Sequence, residues 1–442
     1  MAASVDLSDV PMLPVVTPET VKIGVIDPVY PDAEATAKQC LADIKAQGEV
    51  ALRMYAEKFG DVPKGGPLVL DKTAMKEAYD SLPEEDQRCL RSTAERVRAF
   101  ALVQRASIAE VEAPIPGGVA GQSVSPCEVA GCYAPGGRYP LPSSVIMTAA
   151  TARAAGVSTV IVASPRPTPV TLAAAHVSGA DTVLAVGGAQ AIAALAVGAC
   201  PGIPRADVVV GPGNKWVTAA KSLISGQCGI DMLAGPSEVL IIADKTSDPE
   251  TVAADLLAQA EHDVVARPIL VSTDGPGTIE ACNAALQRQL SVLPTAKVAR
   301  EAVKGGFAVA CTSVEEAVAL SNRVAPEHLE VLTEDATGVA KMLDQYGALF
   351  VGHNAAEVLG DYGIGPNHTL PTGGTARYTG GLSVFSFLRI RTWMRVDDTA
   401  ASEPAVRDAV HLARLEGLEG HARAAEKRLP AEEPAAKKAR SD

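Results

Sequence analysis

Short runs of apolar residues alternate with longer Ala-rich segments along most of the chain. Residues 159–163 and 182–186, for example, are almost entirely apolar and rich in β-branched side chains, which favours buried strands. Each run is followed by a segment with apolar residues at three- and four-residue steps, the spacing of an amphipathic helix. Strands and helices that alternate in this way form βαβ units, so the pattern predicts an α/β fold with mainly parallel sheets.

The predicted elements fall into two alternating blocks. The first block is expected to hold strands at 129–133, 159–163, 182–186 and 207–210, and helices at 143–155, 169–178, 189–198 and 214–224. The second block is expected to hold strands at 239–243, 269–272, 306–310 and 348–351. Outside the blocks, helices are predicted at 32–60, at 72–105 and in a C-terminal arm at 386–428.

Composition narrows the class of protein. With 442 residues, of which 47% are hydrophobic and 21% charged, the chain is an ordinary globular protein with room for about two or three compact units. Its net charge of −13 argues against nucleic acid or an anionic membrane as the main partner. No apolar run reaches membrane-spanning length, the N-terminus lacks a secretory signal, and the cysteines are scattered singly. We therefore expect a cytoplasmic protein with reduced cysteines and no membrane partner.

Gln259 and His262 are candidate metal ligands. They lie three residues apart on a helix that Ser247-Asp-Pro-Glu250 is predicted to begin, so both side chains would leave from one face. An imidazole and an amide oxygen that converge on one point suit a borderline cation such as zinc. The same spacing fits a polar helix face that carries a histidine by chance, and spacing alone favours that reading.

Three predicted strands end in glycine-rich turns that open helices. The turns are Tyr133-Ala-Pro-Gly-Gly-Arg138, Val186-Gly-Gly-Ala-Gln190 and Val210-Gly-Pro-Gly-Asn214. Bare glycine lets the backbone approach a phosphate, and the carboxyl ends of parallel strands form a ligand crevice. Each turn taken singly is an ordinary helix start, and the common Gly-x-Gly-x-x-Gly motif is missing. Three turns in succession favour an atypical dinucleotide site at Tyr133, Gln190 and Asn214.

Two Pro-containing stretches carry further candidates for chemistry. Glu327 and His328 follow a proline and would supply two proton-transfer groups from one loop or helix start. A glutamate in the first turn of a helix is also a common structural feature, and that alternative stays open. Asp361 and His368 lie on a segment that is too rich in Gly and Pro to form a regular element.

The C-terminal arm adds a second acid and a second imidazole, Glu416 and His421. The other histidines, His176, His353 and His411, stand in no supporting motif. We expect those three to be structural or surface residues.

A series of motifs occurs in order along the chain and carries a resemblance to a known family. They are Tyr133-Ala-Pro-Gly-Gly, Gly187-Gly-Ala-Gln-Ala-Ile-Ala-Ala-Leu, Gly211-Pro-Gly-Asn, Asp231-Met-Leu-Ala-Gly-Pro-Ser-Glu-Val239, Gln259-Ala-Glu-His262, Pro326-Glu-His-Leu329 and Gly365-Pro-Asn-His-Thr-Leu-Pro-Thr372. On these motifs the chain resembles the histidinol dehydrogenase family over about residues 30–425. The resemblance implies a homodimer that uses NAD and zinc and exchanges its C-terminal arm. It also implies oxidation of the small alcohol L-histidinol through L-histidinal to L-histidine, in two hydride transfers.

The resemblance further implies roles for individual residues. The zinc ligands would be Gln259, His262, Asp361 and His421 of the partner subunit. His328 would remove the hydroxyl proton, and Glu327 would activate the water that hydrates the aldehyde. The NAD site would be lined by Tyr133, Gln190 and Asn214. Substrate contacts would come from Ser237, Gln259, His262, His328, Asp361, His368, Glu416 and His421, with Ser143 as an additional candidate.

The alternation and the resemblance together predict two intertwined, incomplete Rossmann-like globules. One globule, with the zinc and catalytic residues, is expected to combine residues 30–127 and 238–385, and the other, on the NAD side, residues 128–237. The remaining segments are an N-terminal segment at 1–29, the exchanged arm at 386–428 and a disordered tail at 429–442.

Two stretches differ in sequence from those of the family's biosynthetic members. They allow a second substrate as an alternative to histidinol. Gly137-Arg-Tyr-Pro-Leu141 has an arginine and a tyrosine where a small residue is usual, and Arg391 and Arg395 make the arm more basic. With Arg138, these arginines would bind an anionic alcohol by forked hydrogen bonds. The pair Arg138-Tyr139 resembles a relative that oxidises a sulfonated propanediol. They would equally serve as surface residues or as neighbours of the NAD phosphates. A binding role without catalysis is disfavoured, because every implied catalytic and zinc position is filled.

Overall fold

The structure, a computed structural model, describes residues 9–21, 24, 27–136 and 139–429. Contacts divide the chain into two units. The first consists of Met1–Arg105 and Pro126–Phe387, and the second of Ala106–Ser125 and Leu388–Asp442. Of the predicted disordered tail at 429–442, residues 430–442 lie outside the described residues.

Two six-stranded sheets belong to the first unit, and a three-stranded sheet belongs to the second. The strands are β1 Val15–Val16, β2 Val69–Leu70, β3 Val111–Ile115, β4 Gly118–Pro126, β5 Val129–Tyr133, β6 Thr159–Ala163, β7 Thr182–Leu184, β8 Val208–Val210, β9 Gly229–Ile230, β10 Glu238–Ala243, β11 Arg267–Ser272, β12 Phe307–Ala310, β13 His328–Leu332, β14 Ala348–Val351 and β15 Leu388–Val396. The helices are α1 Pro31–Gln47, α2 Glu49–Lys58, α3 Lys72–Asp80, α4 Glu84–Ala106, α5 Pro142–Ala155, α6 Pro169–Ser178, α7 Gly188–Val197, α8 Lys215–Ile224, α9 Pro249–Ala260, α10 Pro276–Val292, α11 Ala296–Gly305, α12 Val314–Val324, α13 Ala336–Ala340, α14 Glu357–Asp361, α15 Thr399–Leu415 and α16 Glu419–Glu426.

Both sheets of the first unit are built mainly from parallel strands, as the alternation of apolar runs predicted. The first sheet has the order β1-β12-β11-β10-β13-β14, and its pairings are parallel. The second has the order β2-β7-β6-β5-β8-β9, with β2 antiparallel to β7 and the other pairings parallel. Every residue of β5 and of β10 is buried, as expected for parallel strands covered on both faces.

The two N-terminal helical segments are each divided into two helices. Residues 32–60 form α1 and α2, which meet at Gly48, where a φ of +56° ends the first helix. Residues 72–105 form α3 and α4, and Ser81 caps the end of α3. Among the described residues, no helix is both long and apolar enough to cross a membrane.

The first two helices, α1 and α2, pack on the second sheet, whereas residues 30–127 were expected to group with residues 238–385. Ala37 and Ile44 of α1 share one core with Ile192 and Leu195 of α7. β2 also extends the second sheet by pairing with β7. The apolar face of α1 was visible in the sequence, but its hydropathy pattern does not specify which sheet it will cover.

The second unit combines a three-stranded sheet with two helices. β3 and β4 form a hairpin that turns at Gly117, and β15 adds the third strand. The helical arm is confirmed for α15 and α16, but residues 388–396 form β15 instead of a helix. Arg389, Arg391 and Arg395 alternate with apolar residues there, and this two-residue period favours a strand.

Candidate active site

The residues predicted to carry acid–base chemistry lie at the amino end of one strand of the first sheet, beside the amino end of its neighbour. His328 is the first residue of β13, and Glu238 is the first residue of the adjacent strand β10. Glu327 directly precedes His328, and both side chains are buried. The alternative of a helix start at this pair is wrong, because the apolar residues after His328 continue as a strand between β10 and β14.

His328 is held by contacts to both of its ring nitrogens. Its Nδ1 lies 2.9 Å from the backbone oxygen of Glu238, and its Nε2 lies 2.8 Å from Nε2 of His368. Because a carbonyl oxygen can only accept, we assign the ring proton to Nδ1 and a lone pair to Nε2. Burial, reinforced by repulsion from His368, lowers the pKa of His328 to about 3. The ring is therefore neutral at neutral pH and able to take up a proton at Nε2.

Glu327 is a buried acid beside that ring. Its Oε2 accepts a hydrogen bond from the backbone N–H of Glu238 at 2.9 Å and lies 3.8 Å from Nδ1 of His328. Burial, together with the negative charges of Glu238 and Asp361, raises the pKa of Glu327 well above its usual value. Two adjacent groups with pKa values displaced in opposite directions are typical of acid–base pairs in active sites.

The predicted zinc ligands Gln259, His262 and Asp361 come together beside this pair. Gln259 is buried in the last turn of α9, and His262 lies just beyond the end of that helix. Asp361 ends the short helix α14, although the sequence had suggested an irregular segment. Nε2 of His262 lies 3.5 Å from Oδ2 of Asp361, whose Oδ1 lies 3.6 Å from Nε2 of His368.

Asp361 belongs to two groups of potential metal ligands. The ligand atoms of His262, Glu357 and Asp361 lie within 4.8 Å of one another, and so do those of His328, Asp361 and His368. Contact with the carboxylate of Asp361 raises the pKa of His262. Burial acts to raise the pKa of Asp361, but the contact with His262 and the neighbouring imidazoles of His368 and His328 together outweigh it, so the pKa is lowered overall. Asp361 is thus an ionised carboxylate among imidazoles, a donor set that suits zinc.

Gln259 connects the first of these groups to His328. With its amide oriented to satisfy its buried neighbours, the amide nitrogen lies 3.2 Å from both carboxylate oxygens of Glu357 and 3.3 Å from the backbone oxygen of Glu238, which also accepts from Nδ1 of His328. The amide oxygen, which is the atom that a metal would bind, is not used by these contacts.

The sequence pattern had not singled out several buried acids around this cluster. They are Glu238, Asp255, Glu330 and Glu357. Glu330 accepts the backbone N–H of Glu357 at 2.7 Å, and Arg267 pairs with Glu238 at 3.0 Å. Arg267 offsets one negative charge, so a bound divalent cation would stabilise the cluster further. One signal was present: Glu357 precedes Asp361 by four residues, which places both on one face of a helix.

The loop that carries His368 is held against α14 and α5. A side chain at Gly360 would overlap the imidazole of His368, so a glycine is required at this close approach. Nδ2 of Asn367 donates to the backbone oxygen of Met147 at 2.7 Å and lies 2.9 Å from Oγ1 of Thr151, both in α5. These contacts fix the imidazole of His368, whose side chain is 3% exposed.

The predicted dinucleotide residues lie at the carboxyl ends of β5, β7 and β8 in the second sheet. Tyr133 ends β5, and its hydroxyl accepts the N–H of Gly188 at 3.1 Å. Gln190, in the first turn of α7, donates to Oδ2 of Asp61 at 3.3 Å, and Asn214 caps α8 with its side-chain oxygen. Tyr133, Gln190 and Asn214 thus lie at one edge of the sheet, and each of the three side chains also has a structural partner.

The remaining predicted substrate residues are dispersed over the chain. Ser237 immediately precedes β10, and Ser143 lies in the first turn of α5. Glu416 and His421 belong to the second unit, where Glu416 follows α15 and His421 lies in α16, and both are exposed. The cluster around His328 is accordingly built from first-unit residues.

The arginines that suggested an anionic substrate have local partners where the structure describes them. Nε of Arg395 donates to Asp397 at 2.8 Å, and a guanidinium nitrogen of Arg391 donates to Oγ of Ser125 at 3.1 Å. Arg138 lies outside the described residues.

Comparison with known proteins decides the family. Residues 29–429 match the family model described as histidinol dehydrogenase. The chain belongs to the histidinol dehydrogenase family. The predicted family is confirmed, and the protein is an oxidoreductase of the histidinol dehydrogenase family.

Individual relatives of this histidinol dehydrogenase family member span nearly its whole length. A histidinol dehydrogenase of Thermus thermophilus is 45% identical over 395 residues, which cover 89% of this chain and 94% of that protein. A sulfopropanediol 3-dehydrogenase of Ruegeria pomeroyi is 40% identical over 409 residues, which cover 90% and 92%. The crystal structure of histidinol dehydrogenase from Elizabethkingia anophelis is 30% identical, with a TM-score of 0.86 over 94% of this chain and 98% of that one. This structural match confirms the fold class.

The buried acids of this histidinol dehydrogenase family member predict a pH-dependent stability. Burial, with the charge of Asp255, raises the pKa of Glu330 to about 8 from an ordinary 4.5. A raised pKa stabilises the protonated folded form, so its contribution is full below pH 4.5 and is lost as the pH rises towards 8. Glu330→Gln has no proton to lose at this position. As the pH rises between 4.5 and about 8, we expect the free energy of unfolding of the unaltered protein to fall more steeply than that of the variant. The difference in slope is expected to be about 1.4 kcal/mol per pH unit.

Urea unfolding of both proteins at several pH values between about 5 and 8 measures the difference. Parallel stability curves would show that Glu330 titrates normally in the folded state.

Proposed function

We propose that the protein oxidises L-histidinol through L-histidinal to L-histidine, using two molecules of NAD and a bound zinc ion. The observation that carries the proposal is the contact of a neutral, buried His328 with an acid, Glu327, beside the ligand group of His262 and Asp361. The likeness to a histidinol dehydrogenase that is 45% identical supports the same reaction.

Zinc would be held by Gln259, His262 and Asp361, with the partner subunit's His421 as the fourth ligand. The fit rests on the donor set, because imidazole nitrogen and carboxylate oxygen are the usual ligands of zinc. It also rests on charge, because a dication offsets the excess of buried carboxyl groups around Glu357. When bound, zinc supplies a Lewis acid that polarises the alcohol oxygen of the substrate.

His328 would act as the general base of the first oxidation. Its Nε2 lone pair accepts the hydroxyl proton of the substrate while a hydride leaves the same carbon for NAD. The bond from Nδ1 to the backbone oxygen of Glu238 keeps the ring in the required tautomer.

Glu327 would act in the second oxidation. Its raised pKa makes its carboxylate a stronger base than an exposed glutamate. We assign it to removing a proton from the water that adds to the aldehyde. The resulting hydrate then loses the second hydride and becomes the carboxylic acid product.

NAD would bind at the carboxyl ends of β5, β7 and β8, where Tyr133, Gln190 and Asn214 lie. Open α/β sheets bind ligands in the crevice at these strand ends, and helix starts favour phosphate groups. Ser237, His368 and Glu416 would contact the substrate, with Ser143 as an additional candidate.

Exchange of the C-terminal arm in a homodimer is supported by its exposed apolar residues. Ile390 and Met394 of β15 are 53% and 76% exposed, and Leu412 and Leu415 of α15 are 58% and 71% exposed. Exposed apolar surface of this extent is typical of a site that a partner covers.

Glu327→Gln is expected to impair the second oxidation more than the first. The amide oxygen still accepts the N–H of Glu238, so the local fold is kept, but the amide cannot remove a proton from water. We expect the second hydride transfer to slow by about 100-fold, the lower range for loss of a general base. Single-turnover measurements with histidinol and with histidinal separate the two steps. Equal losses in both would contradict the assignment.

Release of NADH with histidinol and with a sulfonated propanediol tests the substrate. The likeness to a sulfopropanediol dehydrogenase at 40% identity keeps the anionic alcohol as a second candidate. We expect histidinol to give the higher kcat/KM. A clear preference for the sulfonated diol would replace histidinol by that substrate in the proposal. If neither alcohol gave NADH, the proposed function would be overturned.

A further inference from the structure

A buried ion pair lies next to the turn that ends β8. It is formed by Lys221 and Asp231, whose side chains are 4% and 0% exposed. Lys221 lies in α8, and Asp231 directly follows β9, the strand that pairs with β8. A buried ion pair adds little net stability over apolar residues of similar size, so stability alone does not explain it.

The ion pair encloses the peptide groups of Gly211. Nζ of Lys221 donates to the backbone oxygen of Gly211 at 2.9 Å, and Oδ2 of Asp231 accepts its N–H at 2.7 Å. The other carboxylate oxygen of Asp231 accepts the N–H of Met232 at 2.7 Å. Helical side chains tilt towards the N-terminus of their helix, which lets Lys221 reach back past the start of α8. One ion pair thus fixes both polar backbone atoms of a single residue.

Gly211 adopts a backbone conformation that has to be held. Its φ is +118°, in a region that favours glycine, and a side chain there would overlap the backbone oxygen of Tyr133. The residues that follow are tightly packed as well, because a side chain at Gly213 would overlap Val217. The turn then enters α8 through its cap, Asn214. The position of Asn214 and of the first turn of α8 therefore depends on how Gly211 is held.

We propose that Lys221 and Asp231 are positioning residues for the turn from Gly211 to Asn214. By fixing the peptide groups of Gly211, the ion pair keeps this turn in the shape that receives the dinucleotide. Both side chains are buried, so they act on the cofactor through the turn and not by contact. The inference rests on the proposed use of NAD at this edge of the sheet.

The double variant K221M/D231N tests the inference. It removes the ion pair without leaving one buried charge unpaired, as either single variant would. We expect the dissociation constant of NAD, measured by titration calorimetry, and the KM for NAD to rise about tenfold, as for the loss of a buried hydrogen bond. We expect kcat and the KM for histidinol to stay within about threefold, because the machinery around His328 is unchanged.

A second ion pair, beside the same sheet, offers a control. Arg153 and Asp181 form a half-buried pair, and Asp181 accepts the N–H of Val160 near the amino end of β6, away from the turns. R153M/D181N removes charges of the same kind, so it reports the general effect on stability. Its affinity for NAD is expected to remain unchanged. If K221M/D231N does not fold, Lys221→Arg replaces it, because this variant keeps the charge pair but shifts the donor away from the oxygen of Gly211.

The outcomes separate the two proposals. An unaltered enzyme that neither binds NAD nor reduces it would overturn the proposed function. An unaltered enzyme that binds NAD, together with K221M/D231N or Lys221→Arg of equal affinity, would overturn the positioning role alone. So would an equal loss of affinity in R153M/D181N, because the effect would then follow from stability.

Discussion

Removal of zinc is expected to abolish alcohol oxidation, and added Zn²⁺ is expected to restore it. The proposed ligands Gln259, His262 and Asp361 lie among buried carboxyl groups, of which Arg267 offsets one. Without the cation the substrate hydroxyl keeps its high pKa, and a base as weak as His328 cannot remove its proton at a useful rate. Dialysis against a chelator, metal analysis and an NADH assay before and after zinc addition measure the effect. Full activity in protein shown to be metal-free would contradict the proposal that zinc is required.

The substitution Asp361→Asn tests the proposed zinc site at a single ligand. Asp361 contacts both His262 and His368, and the amide removes the negative charge from the ligand group. We expect zinc affinity to fall by more than about 100-fold, since even residues that only orient a ligand contribute 10- to 100-fold. Asp335→Asn is the matched control, because Asp335 caps α13 through the N–H of Gly338 and asparagine caps equally well. A variant at Asp361 that retains zinc at the normal affinity would contradict this ligand assignment.

His328→Asn is expected to lower kcat by about 10²- to 10⁴-fold, the usual contribution of a general base. The asparagine amide can still donate to the backbone oxygen of Glu238, as Nδ1 of the histidine does, but it offers no lone pair that takes up a proton at neutral pH. The loss should appear in the first hydride transfer, which a single-turnover measurement of NADH formation reports directly.

The control for His328 is His353→Asn, which alters an exposed histidine outside the cluster. We expect this variant to retain normal activity. If His328→Asn loses less than about tenfold, the proton must go elsewhere, and His368 would become the candidate base. The same change at His368 would then have to give the larger loss.

Several features of the fold could be predicted from the sequence because they depend on local patterns. Strands buried on both faces require continuous apolar runs, so the runs at 159–163 and 239–243 predicted parallel strands that the structure confirms. Two places were missed. The two-residue period that makes β15 a strand was obscured by the helical sequence that follows it, and the partner of α1 depends on contacts that periodicity does not encode.

At the candidate site, too, some residues could be predicted from local motifs and others could not. The motifs around Gln259, Glu327 and Asp361 identified residue types suited to zinc and to proton transfer, and they were sufficient to assign the family. The buried acids Glu330 and Glu357 had no motif of their own, although the spacing of Glu357 and Asp361 on α14 was a usable signal.

By itself, the sequence determined the alternation of strands and helices, the family and the identity of the reactive side chains, because these follow from residue type and short-range order. Only the tertiary structure decided that the acid–base pair, at the amino end of β13, lies beside the amino end of β10, where Glu327 accepts the N–H of Glu238, 89 residues earlier in the chain. It also decided the protonation states, with a neutral His328 and a protonated Glu330. The physical reason is that a pKa depends on burial and on neighbouring charges, and the neighbours here are brought together by strand pairing between distant segments.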